Sequence, residues 1–253
     1  MRGNIRLAVR CVALAAATLG FYGMRLALLA FTFAFHKTDR RLTRFVFKHW
    51  AGTCARIVGM RIEVEGPPPE PPFFLVTNHL SYLDGLTLGS QLGCLFIAKS
   101  EVASWPVLGF LARQANVIFI DRKKRSDTLR VNDHIEQALA DGEGVIMFAE
   151  STTSRGTEVC PFKTALFEAV ARSNFPVHCA AIHYDAPPGS PPASEWITWW
   201  TPISFGAHAL RVLRQPGLNA KLSFGEAPIL GTDRRLLAEQ TRAAVQALFQ
   251  PVD

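Results

Sequence analysis

Short apolar runs alternating with helical patterns predict an α/β fold, a mixed and largely parallel sheet flanked by helices, behind an N-terminal membrane-associated helical segment. The strand-like runs are Arg61–Glu65, Phe73–Thr77, Cys94–Ala98, Val117–Ile120, Val145–Phe148, Pro176–Ile182, Trp196–Trp200 and Lys221–Phe224. Between them, Ser126 reads as the cap of a helix bearing Val131, Ile135, Ala138 and Leu139. Thr232 reads as the cap of a last helix with Leu237, Thr241, Ala244, Val245 and Leu248 on one stripe. The proline clusters at 67–72 and 187–192 are turns or exposed loops, too short to link domains. The expected division is therefore 1–60 as anchoring helices and 61–253 as one α/β domain.

Charge separates the same two parts. Residues 1–61 hold eleven Lys/Arg against one acid, Asp39, for a local net charge of +10, and the remainder of the 253-residue chain carries −4. Basic residues interleaved with long aliphatic runs suit an anionic lipid surface and exclude nucleic acid as the expected partner. The hydrophobic content of 49% and the mean hydropathy of +0.14 point the same way. Five cysteines with no CxxC spacing suggest neither a disulfide framework nor a metal site, which fits a reducing, cytosolic setting.

Two apolar runs, 11–24 and 26–35, are separated by Arg25 and bracketed by Arg2, Arg6 and Arg10 before and Lys37, Arg40, Arg41 and Arg44 after. A cleaved signal peptide is opposed by Arg10, and a single span of about 24 residues must bury Arg25. Two short helices in one leaflet place every arginine at headgroup level and both flanks on the cytoplasmic side, and this is the expected arrangement. The stretch from Thr38 to Val58 reads as a helix with Arg40, Arg44 and Lys48 on one face and Leu42, Val46 and Trp50 opposite. That helix either packs on the body or touches lipid headgroups.

The chemistry concentrates where the strand Phe73–Thr77 runs into Asn78-His79-Leu80-Ser81-Tyr82-Leu83-Asp84. On one continuous helix His79 and Asp84 would lie about 140° apart and could not meet. Ser81 followed three residues later by Asp84 resembles a capping box, so a helix starting at Ser81 leaves His79 in the preceding turn. Asp84 in the first turn can then reach back to the imidazole, fix its tautomer and leave the other ring nitrogen free to take a proton. The spacing alone is weak support, since a structural histidine before a helix-start acid gives the same pattern. His134, His178, His183 and His208 are expected to be structural or surface residues.

Asn78-His79-x4-Asp84 after a hydrophobic strand resembles the first motif of the PlsC-type glycerolipid acyltransferases. Four further blocks follow in the family's order: Phe96-Ile97-Ala98-Lys99-Ser100-Glu101, Trp105-Pro106-Val107-Leu108-Gly109, Val117-Ile118-Phe119-Ile120-Asp121-Arg122, and Phe148-Ala149-Glu150-Ser151-Thr152. Phe175-Pro176-Val177 then resembles the family's V-P-V block. The resemblance covers about residues 70–185. It implies that His79 is a general base oriented by Asp84, and that no acyl-enzyme, cofactor or metal takes part. Acyl-CoA or acyl carrier protein would be the donor co-substrate, and a lysolipid hydroxyl the acceptor. It further implies acceptor contacts from Asn78, Lys99, Arg122, Glu150, Ser151 and Thr152, at the cytoplasmic face of an inner membrane.

Two departures bear on the acceptor. The family's proline and glycine are Ala149 and Ser151 here, so the turn loses its most permissive residue. The arginine expected after Thr152 is Thr153, which removes a bidentate phosphate grip unless Arg155 replaces it. The text from Phe148 to Gly156, followed by Pro161-Phe162-Lys163, resembles the lyso-ornithine lipid acyltransferase branch, as do Ser204-Phe205-Gly206 and Lys221–Pro228. Lysophosphatidate and a lyso-aminolipid both remain open as acceptors. A serine hydrolase is opposed by the lack of any GxSxG, and a non-catalytic lipid-binding protein by the retained His79 and Asp84.

Overall fold

In the computed structural model, which describes residues 2–32 and 36–253, seven strands form one sheet of order β1-β7-β6-β2-β5-β3-β4. The strands are β1 (Met60–Glu65), β2 (Phe73–Thr77), β3 (Cys94–Lys99), β4 (Ile118–Ile120), β5 (Gly144–Phe148), β6 (Val177–Asp185) and β7 (Leu218–Phe224). The helices are α1 (Arg2–Thr32), α2 (His36–Val58), α3 (Leu83–Gln91), α4 (Leu108–Gln114), α5 (Arg125–Ala140), α6 (Glu168–Arg172), α7 (Ala193–Trp196), α8 (Phe205–Arg214) and α9 (Arg234–Leu248). Only β6 and β7 pair antiparallel; every other neighbouring pair is parallel, as the alternating pattern predicts. β2 sits in mid-sheet and is buried on both faces, which its unbroken Phe-Phe-Leu-Val-Thr run encodes.

Parallel pairing decides where the chemistry gathers. β2, β3, β4 and β5 all deliver their C-terminal ends to one edge, so the residues following them converge outside the sheet there. One core layer joins Phe73, Leu75, Leu83, Ile146, Ile182 and Tyr184 with Ala55 and Val58 of α2. The other packs Phe74, Val76, Val145, Val131, Ile135 and Leu237 beneath α5 and α9.

Several local expectations are corrected. Trp196–Trp200 is not a strand, because Ala193–Trp196 closes a helical turn with Ile197 N–H donating to Ala193 O. The turn is held by buried Trp196, whose indole donates to Pro191 O, and by the Thr198 hydroxyl, which donates to Ser194 O. α9 is capped by Asp233 rather than Thr232, its carboxylate accepting from Arg235 N and Leu236 N. Ser126 lies inside α5, whose cap residue is Lys124.

The N-terminal part differs most. The 11–24 and 26–35 runs do not form two helices: α1 continues unbroken through Arg25 to Thr32, and residues 33–35 lie outside the described residues. Arg25 does not interrupt it because its guanidinium donates to the Gln114 side chain on α4. Arg6 and Arg10 likewise turn toward the body and donate to the carbonyls of Arg214, Leu213, Gln215 and Pro216, the unpaired end of α8. What α1 turns outward is apolar: Ile5, Val9, Val12, Leu19 and Leu26 follow one another at helical spacing and are all exposed. By length and composition Arg2–Ala30 could cross a membrane. α2 turns only part of its basic face inward: Lys48 stays exposed, Arg40 pairs with Asp141, and Arg44 is buried, paired to Glu143 at 2.7 Å and donating to Ala115 O. It therefore packs on the body and does not offer that arginine to headgroups.

Candidate active site

His79 occupies the turn between β2 and α3, and Asp84 the first turn of α3. The imidazole Nδ1 lies 2.7 Å from Asp84 Oδ2, the contact predicted from the strand-to-helix junction. Its other nitrogen is left for the cavity, and the ring stacks on Phe148 at 4.0 Å between centroids. Asp84 is fully buried and held from four directions. Leu80 N–H and Ser81 N–H donate to Oδ2 at 2.7 and 3.1 Å, while the Tyr184 hydroxyl donates to Oδ1 at 2.8 Å. The capping arrangement is half of the expected box. Asp84 reaches back to the Ser81 amide, but the Ser81 hydroxyl returns no bond, and α3 begins at Leu83. A carboxylate so enclosed cannot rotate away, so the ring it orients stays aimed at the cavity.

Beside the pair, Asn78 is a structural bolt. Fully buried, it donates from its amide to Ile182 O and accepts from Ile182 N–H, fastening β2 to β6. It has no open face for a substrate, which corrects its expected contact role. Glu150 is also corrected. It is buried, does not line the cavity, and neither carboxylate oxygen completes a hydrogen bond among the described residues. Burial pushes its carboxyl up to about 8, aided by the nearby Asp84 charge; the amides of Cys160 and His79 and the Arg242 charge oppose the rise without reversing it.

The cavity encloses about 720 Å³, within the range of small-molecule sites. Its apolar end lies between Leu14 and Thr18 of α1, Phe47, Trp50 and Cys54 of α2, and Phe96 of β3. The polar end opens near His79 and carries Lys99, Glu101, Arg122, Ser151, Thr152 and Thr153. Arg122 reaches across to donate to Ser151 O. Ser151 holds the left-handed conformation, φ 69°, so the turn keeps the shape a glycine would give despite having a side chain. Thr153 donates its hydroxyl to Trp199 O and so holds the loop where the expected arginine would stand. Arg155 does not replace that arginine: it is exposed, outside the cavity, with its guanidinium 5.6 Å from the Trp200 ring. Among the described residues no cluster of His, Cys, Asp or Glu could hold a metal.

Sequence reasoning missed Tyr184, Phe148 and the aromatic wall of Tyr82, Trp105, Trp199 and Phe205. Phe148 stood inside a quoted motif. Tyr184 had only the strand alternation Ala180, Ile182, Tyr184, which puts it on the Asp84 side of β6 but says nothing of its partner.

Residues 61–183 match the family described as Acyltransferase. Lyso-ornithine lipid O-acyltransferase of Brucella abortus is 32% identical across 99% of this chain and 96% of its own length. 1-Acyl-sn-glycerol-3-phosphate acyltransferase of Neisseria gonorrhoeae is 37% identical, but over 49% of each chain. The crystal structure of the 1-acyl-sn-glycerophosphate acyltransferase PlsC of Thermotoga maritima shares the fold, with a TM-score of 0.67, 98% coverage of both chains and 20% identity. With the His79–Asp84 pair at the edge of an apolar cavity, these likenesses agree on one conclusion: the chain belongs to the acyltransferase family and is a lysolipid O-acyltransferase of lipid biosynthesis.

Proposed function

We propose that this enzyme acylates the free hydroxyl of a lyso-ornithine lipid, drawing the acyl group from acyl-CoA or acyl carrier protein. The observation that carries the chemistry is the 2.7 Å contact of His79 with buried Asp84 at the cavity edge. Nε2 takes the proton of the acceptor hydroxyl as its oxygen attacks the thioester carbonyl. The tetrahedral adduct then collapses, the C–S bond breaks, and the departing thiolate receives that proton back from Nε2. The new C–O bond is the ester, and no acyl-enzyme forms. No cofactor enters the balance.

The acceptor assignment rests on the polar end. An ornithine headgroup carries both a carboxylate and an ammonium, and Lys99, Arg122 and Glu101 offer both signs of charge. A phosphate monoester would favour a bidentate arginine at position 153, which holds threonine. The near full-length likeness to the Brucella abortus protein supports the same choice. Purified enzyme offered acyl-CoA and acyl carrier protein with a panel of lysolipids should acylate lyso-ornithine lipid at least ten times faster than 1-acylglycerol-3-phosphate. The reverse preference would overturn the acceptor assignment, and no turnover with any acceptor would overturn the enzyme reading.

We further propose that α1 lies along the cytoplasmic leaflet of an inner membrane instead of crossing it. It touches the body from Gly3, against Arg214, to Arg25, on Gln114, a length of about 33 Å at 1.5 Å per residue. A crossing helix so attached would drag the catalytic body into hydrocarbon. With all three inner arginines bound to the protein, the outward stripe is free to enter the lipid.

A further inference from the structure

The Trp105-Pro106-Val107-Leu108-Gly109 motif takes no part in the chemistry, yet it lies at the cavity. Trp105, Leu108 and Leu111 line its wall, while Pro106, Val107 and Phe110 face outward. Val107 is 70% exposed and sits at φ 62°, a conformation that β-branched residues rarely adopt. The turn is locked in that shape by Gly109, where a Cβ would fall 2.3 Å from Ala103 O. The strained turn thus presents an apolar side chain to the outside.

Two features say what covers it. Phe110 packs edge-to-face on Tyr22 of α1, centroids 5.3 Å apart, which makes the turn continuous with the apolar stripe of that helix. Basic residues lie on the same side of the cavity: Arg113 is exposed on α4, and exposed Lys123, Lys124 and Arg125 follow Arg122, which lines the cavity with Trp105. An apolar ridge with a basic margin matches an anionic bilayer. Behind the ridge, Trp105 meets Trp199 and Phe205 at 5.7 and 5.6 Å, an aromatic seam that forms part of the cavity wall.

We propose that the Pro106–Phe110 turn inserts into the leaflet beside α1 and that the Trp105 seam is the portal through which a lipid acceptor passes from bilayer to His79. The inference rests on α1 lying in the leaflet, and the test separates the two. A solvatochromic maleimide is attached at Val107→Cys and, in a second protein, at Leu19→Cys, both with Cys11→Ser and Cys160→Ser, and phosphatidylcholine–phosphatidylglycerol vesicles are added. Both probes should shift to the blue and be quenched by bromolipids. A shift at 19 alone overturns the portal while α1 stands; a shift at 107 alone overturns the α1 reading while the turn still inserts; no shift at either overturns both. As a functional arm, Val107→Asp should lower kcat/KM for a long-chain acceptor in vesicles about ten-fold while sparing a short-chain acceptor dispersed in water. Equal loss on both acceptors would show a merely structural turn and overturn the portal.

Discussion

The two ends of the polar site are built on opposite plans. Around His79 everything is enclosed: Asp84 is fully buried, accepts from two main-chain amides and a tyrosine, and holds an imidazole stacked on Phe148. Across the cavity mouth, Lys99, Glu101, Arg122 and Thr152 are exposed, and the loop they face is shaped by Ser151 in a strained conformation. In the proposed mechanism the first region fixes a proton-transfer geometry that tolerates no drift. The second, on the same proposal, leaves solvated charges to be completed by the headgroup that arrives, so that small changes there would alter the acceptor without altering the reaction.

Substitutions at the two ends should therefore fail differently. His79→Ala should lower kcat by about 10²–10⁴ with the melting temperature nearly unchanged, measured with saturating acceptor. Asp84→Asn should damage both activity and stability, because it changes a buried acceptor serving two amides and a hydroxyl; a stability loss of about 1–3 kcal/mol by denaturant titration is expected. Arg122→Ala, at the open end, should raise KM for the acceptor about ten-fold and move kcat little. If it lowered kcat as His79→Ala does, the division between the two ends would be wrong.

Two smaller effects concern the loop between them. The Glu150 carboxyl, pushed up to about 8 by burial, favours its neutral form in the folded protein. The folded state then binds more protons than the unfolded chain between roughly pH 4.5 and 8. Stability from this residue is complete below that window and is lost as pH rises through it. Glu150→Gln should flatten that decline and gain relative to the parent at pH 9, which thermal melts across the range would show. Ser151→Gly relieves a left-handed serine and should stabilise by up to about 1 kcal/mol, read as a small rise in melting temperature. A loss there would mean that the serine side chain supports the turn.

The sheet was legible because its strands are short apolar runs between turns. The contact of His79 with Asp84 was legible from the strand end at Thr77 and the helix start after it, whereas its proposed role came from the resemblance, since the spacing alone is weak support. The error at Trp196–Trp200 came from aromatic density, which reads as strand although the segment's bonds are helical and loop-like. Arg25 misled for a different reason. Its charge looks like an interruption in an apolar run until Gln114, 89 residues later, is seen to bond it. Asn78 and Glu150 stand in recognisable motifs, but only packing shows that one bolts β2 to β6 and the other is shut away from the cavity.

In the proposed mechanism Asp84 acts through His79, and the two form a single catalytic unit. The most direct test is a double-mutant cycle on kcat/KM for acyl transfer to lyso-ornithine lipid, using His79→Ala, Asp84→Asn and the combined variant. Asp84→Asn should cost about 10²–10⁴ in the parent and almost nothing once His79 is gone, so that the combined variant matches His79→Ala. Losses that multiply across the two sites, or a His79→Ala enzyme that keeps the parent rate, would contradict the account.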